Sequence, residues 1–155
     1  MTMTACIHRG AAQVGGTCIE LRARGQRLLL DLGMPLDAEE GDAPLPAVAG
    51  LDGDDPSLLG VLLSHLHGDH CGLVPFISDR VPLGMGPVAA RVLREAAFFT
   101  GRPALPPARW ELRDRQALEI GPFRVTPYQV EHSAVDAFAL LVEAEGRRLF
   151  YTGDF

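Results

Sequence analysis

The sequence predicts an α/β fold in which a mixed sheet is covered by helices, and three observations carry that reading. Strand-like patterns dominate the first third of the chain and return over its last third. Between them, the apolar run "GVLLS" reads as a short buried strand ending at Ser64. Only the stretch from Pro87 to Phe99 changes to a helical period.

The elements follow in order. In "TCIELRARGQRLLLDLG", Ile19 and Leu21 alternate with Glu20 and Arg22, Gly25 marks a turn, and Leu28 to Leu30 lead into Asp31. That is a β-hairpin pattern. On the helix, Val88, Val92, Ala96 and Phe99 share one face, with Arg91, Arg94 and Glu95 on the other. Pro87 suits the first turn, and Gly101 with Pro103 ends the helix. "RPALPPARW" reads as a crossover linker. Strands resume in "PFRVTPYQV", in Ala137 to Val142 and, after the turn "EGR", in "RLFYT". With one long helix evident, the second face of the sheet is expected to be thinly covered.

At 155 residues, with 47% hydrophobic and 22% charged residues, the chain has the profile of one globular domain. Its apolar runs are too short to span a membrane, and Met1 to Gly10 lacks the apolar segment of a secretory signal. Cys6, Cys18 and Cys71 are widely spaced without a CxxC, which suits reduced thiols and a cytoplasmic location. The net charge of −6 is concentrated in "DAEEGDAPLPAVAGLDGDD", read as a solvated loop. A net-acidic chain argues weakly against broad nucleic-acid affinity. The absence of lysine excludes Schiff-base chemistry and a P-loop lysine. "GAAQVGGT" therefore fails as a nucleotide loop, since Gly16 stands in the lysine position and a strand pattern follows. It is expected at the rim of the site instead.

The chemistry concentrates in "SHLHGDHCG", where His65, His67, Asp69 and His70 fall within six residues. With His132 they use four of the five histidines. Imidazole and carboxylate are ligands preferred by zinc and similar divalent ions. Spacing i and i+2 off a strand end points two imidazoles the same way, and Gly68 is read as letting the chain turn. Without a cation between them, four such side chains would repel or desolvate one another. Cys71 reads as a small buried residue, His8 as an ordinary partly buried histidine, and Arg147 and Arg148 as a solvated turn.

The HxHxDH pattern resembles the metallo-β-lactamase superfamily. Further landmarks follow in that family's order: Asp31 ending "LLLDLG", His132 in "VEHSAVDAF" and Asp154 in "YTGDF". Asp154 stands where true lactamases commonly have a cysteine, and H-S-x-x-D replaces the T-x-G-H-T of glyoxalase II-like thioesterases. "GAAQVGGTCIEL", "HSAVD" and "YTGDF" are most similar to ribonuclease J and related β-CASP nucleases. The resemblance implies an αββα sandwich, of which the chain would hold the first half and the start of the second. Residues 1–155 would thus be a partial domain without the β-CASP insert and the C-terminal half. It also implies one ion held by His65, His67 and His132, and a second by Asp69 and His70, with Asp154 between them. Both would be Zn2+, or alternatively Mn2+.

The implied reaction is metal-dependent hydrolysis of a phosphodiester in RNA or DNA, with Asp69 orienting the attacking water or carrying a proton. Asp136 is expected to brace its loop by a hydrogen bond. Alternatives are a hydrolase of another ester or thioester, a non-catalytic metal-binding module, and a site rebuilt across a dimer. An uncovered sheet face would favour self-association or pairing with the missing half.

Overall fold

The hairpin expected around Gly25 forms the middle of a six-stranded sheet in a computed structural model, which describes residues 2–38, 43–101 and 105–154. Glu39, Glu40 and Asp42 of the acidic loop, the helix-stopping Pro103 and the start of the "RPALPPARW" linker lie outside the described residues. Strands β1 (Thr4–Arg9), β2 (Cys18–Ala23) and β3 (Gln26–Leu30) are antiparallel. Arg24 and Gly25 join β2 to β3 with φ of 49° and 74°, as a two-residue primed turn requires.

Three strands then add in parallel to β3: β4 (Leu58–Leu62), β5 (Leu83–Met85) and β6 (Trp110–Glu111). A second, antiparallel sheet holds β7 (Leu118–Ile120), β8 (Phe123–Gln129), β9 (Phe138–Ala144) and β10 (Arg147–Tyr151), with β10 at its edge. Glu145 and Gly146 make a second primed turn, with φ of 51° and 69°.

Alternation along the first sheet sends side chains into two cores. Leu21, Leu28, Leu30 and Leu62 meet Phe123, Val125, Leu140 and Val142 of the second sheet. Leu29, Val61 and Leu63 on the opposite face pack with Leu73, Val81 and Leu83. The polar residues of β2 are not simply solvated. Glu20 is fully buried and meets His8 Nε2 at 3.0 Å, Arg22 and Arg27.

Helix α1 (Gly68–Cys71) is a single turn, and α2 (Pro87–Thr100) is the long helix expected from the sequence. Its orientation corrects the apolar stripe read from sequence. Ala89 and Ala97 are buried, with Ala90 and Leu93 against the core, whereas Val88, Val92 and Phe99 are 50%, 44% and 82% exposed. The small side chains and Leu93 face the core, and the bulkier stripe is left outside. The outer face of the second sheet carries Tyr128 and Phe150 edge to face, and Phe150 is 57% exposed. Among the described residues no helix is long and apolar enough to cross a membrane.

Candidate metal centre

Parallel pairing of β3 with β4 places their C-terminal ends side by side. Asp31 follows β3 directly, takes φ of 60° and donates its backbone N–H to Leu62 O at 2.9 Å. Leu63 and Ser64 follow β4, and His65 and His67 project from the chain as it leaves the strand end. Helix α1 then turns Asp69 and His70 back toward the same place. The second sheet closes the arrangement, since Phe138 N donates to Ser64 O at 2.9 Å. His132 enters from the β8–β9 loop and Asp154 from just beyond β10.

All six expected site residues converge. His67 Nδ1 lies 3.1 Å from His132 Nε2, and the His65 ring is 4.8 and 4.7 Å from the His67 and His132 rings. On the other side, His70 Nε2 is 3.3 Å from Asp154 Oδ1 and 3.7 Å from Asp69 Oδ2. Among the described residues, two groups bring potential ligand atoms within 4.8 Å of one another: His65, His67 and His132, and His65, His70 and Asp154. His65 belongs to both. Asp69 stands outside both groups, at the margin next to His70.

A fixed hydrogen-bond chain lies beneath these residues. Asp31 is fully buried, and its Oδ1 accepts the Ser64 N–H at 2.7 Å. Its Oδ2 accepts Ser64 Oγ and His70 Nδ1, each at 2.7 Å, and also the Tyr151 hydroxyl. Because Ser64 spends its only proton on Asp31, its oxygen accepts from His65 Nδ1, 3.0 Å away. Both histidines therefore carry a proton on Nδ1, so that Nε2 is the atom each neutral ring offers to an ion.

His65 Nε2 is buried and finds no partner among the described residues. Burial first, then the neighbouring His70, pushes the His65 pKa down to about 4, so the ring is neutral at pH 7. An orphaned imidazole lone pair facing other nitrogen and carboxylate donors fits a divalent cation of the zinc or manganese kind. For His70, burial works downward, but the hydrogen bond and charge of Asp31, with Asp154 and Asp69, outweigh it and raise the pKa. Cys71 is buried, and its thiol is pushed up to about 12 by burial and then by Asp31 and Asp69, so it stays protonated.

The close fit around the centre is made by glycines other than the one read from sequence. Gly68 has open space and no left-handed φ. A Cβ on Gly33, by contrast, would lie 1.6 Å from Asp69 O, and one on Gly15 would lie 2.9 Å from Asp69 Cβ. The Gly10–Thr17 loop thus packs on Asp69 at the rim, with Thr17 N donating to Asp69 O at 3.1 Å. Asp136 braces the His132 loop, its Oδ2 accepting Val88 N at 2.6 Å and Ala89 N at 3.0 Å at the start of α2. Ser64 and Tyr151 were not singled out from the sequence. Their only signal is a polar residue at the end of an apolar strand.

A family model described as the metallo-beta-lactamase superfamily matches residues 12–155. An RNase J-like protein of Methanocaldococcus jannaschii is 29% identical over 95% of this chain and 35% of its own length. Ribonuclease J of Helicobacter pylori is 22% identical over 94% of this chain and 22% of its own length. A solved structure of a protein of unknown function from Enterococcus faecalis superposes with a TM-score of 0.80 at 21% identity. That match covers 100% of this chain and 44% of the other. The chain therefore spans about a third or less of the curated relatives named here.

Proposed function

The chain belongs to the metallo-beta-lactamase superfamily, and from that premise we propose that it forms the metal centre of a hydrolase cleaving phosphodiesters in RNA or DNA. The observation that carries this reading is His65, a buried neutral imidazole whose free Nε2 faces a ring of nitrogen and carboxylate donors. We assign one ion to His65, His67 and His132 and a second to Asp69 and His70, with Asp154 between them. Zn2+ suits this nitrogen-rich set best, and Mn2+ is the alternative. When bound, such ions supply water activation at neutral pH and stabilise charge on the attacked phosphoryl oxygens. Asp69, at the solvent-facing margin, orients the attacking water or takes its proton.

The nucleic-acid assignment rests on relatives named as ribonucleases. Three free cysteines, two of them buried, accord with a cytoplasmic location. Self-association, or pairing with a further half-sandwich, would use the free edge of β10 and the exposed Phe150.

The test is hydrolysis of bis-p-nitrophenyl phosphate by the metal-loaded chain, compared with His67→Ala. Hydrolysis abolished in the variant supports the reading. Activity confined to a thioester contradicts it.

A further inference from the structure

Three donors meet at a single oxygen, Asp31 Oδ2, and one of them comes from the other sheet. We propose that Tyr151 is a positioning residue for the metal centre: its hydroxyl fixes Asp31, and through Asp31 the His70 ring, so that His70 Nε2 faces Asp154. The proposal rests on the two-ion reading above and concerns one of the two ions.

The geometry carries it in two steps. First, the Tyr151 hydroxyl reaches the oxygen that holds His70 Nδ1, and it lies 3.4 Å from that nitrogen itself. A phenol has one proton to donate, and here it goes to Asp31 Oδ2, the same oxygen that accepts the hydrogen bond from His70 Nδ1 at 2.7 Å. Asp31 Oδ1 is already held by the Ser64 N–H, so the carboxylate has no freedom to rotate away. The His70 ring is thereby fixed in tautomer and in direction, as carboxylate partners fix metal-binding histidines generally.

Second, Tyr151 ends β10, three residues before Asp154, whereas Asp31 and Ser64 follow strands of the first sheet and His70 stands on α1. One hydrogen bond therefore ties the strand that delivers Asp154 to Asp31, which in turn holds His70 on α1. Among the described residues no hydrogen bond joins Tyr151 to His67 or His132, and its path to His65 runs through Asp31 and Ser64. Its influence falls on the His70–Asp154 side.

Tyr151→Phe removes one oxygen and keeps the ring. Titration of the metal-free chain with Zn2+ against a chromophoric chelator is expected to show two equivalents in the wild type. In the variant, one equivalent binds about 10–100-fold more weakly and the other stays within about 3-fold. Cobalt(II) substitution is expected to show a changed visible spectrum for the weakened equivalent alone. Unchanged affinities in a variant that has merely lost thermal stability would make Tyr151 structural and overturn the proposal. So would equal weakening of both equivalents. A wild-type chain without two equivalents removes the two-ion reading and this proposal together, and it does so before any variant is compared. Should Tyr151→Phe not fold, proton NMR of the wild type decides. A Tyr151 hydroxyl proton protected from exchange, with a nuclear Overhauser effect to the His70 Nδ1 proton, supports the proposal, and a rapidly exchanging one overturns it.

Discussion

Replacing Asp31 by asparagine removes the one carboxylate on which the centre is built. Four donors converge on it, three of them at 2.7 Å and the fourth from Tyr151, in a site with no solvent access. If the new amide nitrogen takes the Oδ2 position, Ser64 Oγ, His70 Nδ1 and Tyr151 all face a donor. If it takes the Oδ1 position, the Ser64 N–H does. Either way a buried donor loses a charged acceptor, which costs about 1.5–3 kcal/mol for each hydrogen bond, and a donor is pressed against a donor. The expected loss is about 3 kcal/mol for Asp31→Asn in the metal-free chain. For a chain of 155 residues that corresponds to a fall of about 6–12 °C in Tm. Urea denaturation of both proteins in the presence of a chelator measures it. A loss below about 1 kcal/mol would refute the reasoning, because Asp31 would then not be the shared acceptor.

Asp136→Ala strips the start of α2 of an acceptor for two backbone N–H groups and frees the His132 loop. Denaturation should show a loss of about 1–2 kcal/mol, the size of a lost helix cap. Gly33→Ala would drive a methyl group into the Asp69 carbonyl. It is expected to cost about 3 kcal/mol and to weaken metal binding, both read on the purified variant. The metal-free chain should be most stable near pH 6.5, since its two buried histidines shift in opposite directions. His65 has a folded pKa near 4, below its unfolded value of 6.5, so the unfolded state binds the extra proton. Its contribution is full above pH 6.5 and falls by about 3 kcal/mol toward pH 4. The raised His70 contributes fully below pH 6.5 and loses that contribution as pH rises through its folded value. Denaturation midpoints across pH 4 to 9 check the maximum.

Legibility in the sequence followed the range over which each signal acts. Arg24–Gly25 and Glu145–Gly146 needed nothing beyond local turn geometry, and both hairpins formed as read. Strands β5, β6 and β7 have three, two and three residues, too few for a period to show, and they exist because neighbouring strands hold them. Helix α2 was recognisable, but not its inward face. Its inward alanines and outward valines and phenylalanines recur at similar spacing, and only the tertiary packing decides between them. At the site, the candidate residues were legible because histidines are scarce in the chain and clustered. The bonds from Asp31 to Ser64 and Tyr151 span 33 and 120 residues, and no local pattern announces such pairings.

Metal content per chain tests the central claim most directly. The chain should be saturated with Zn2+ or Mn2+, freed of excess ion and analysed by mass spectrometry for metal per polypeptide. Two ions per chain are predicted, falling in His67→Ala. Less than one ion per chain would contradict the metal centre itself.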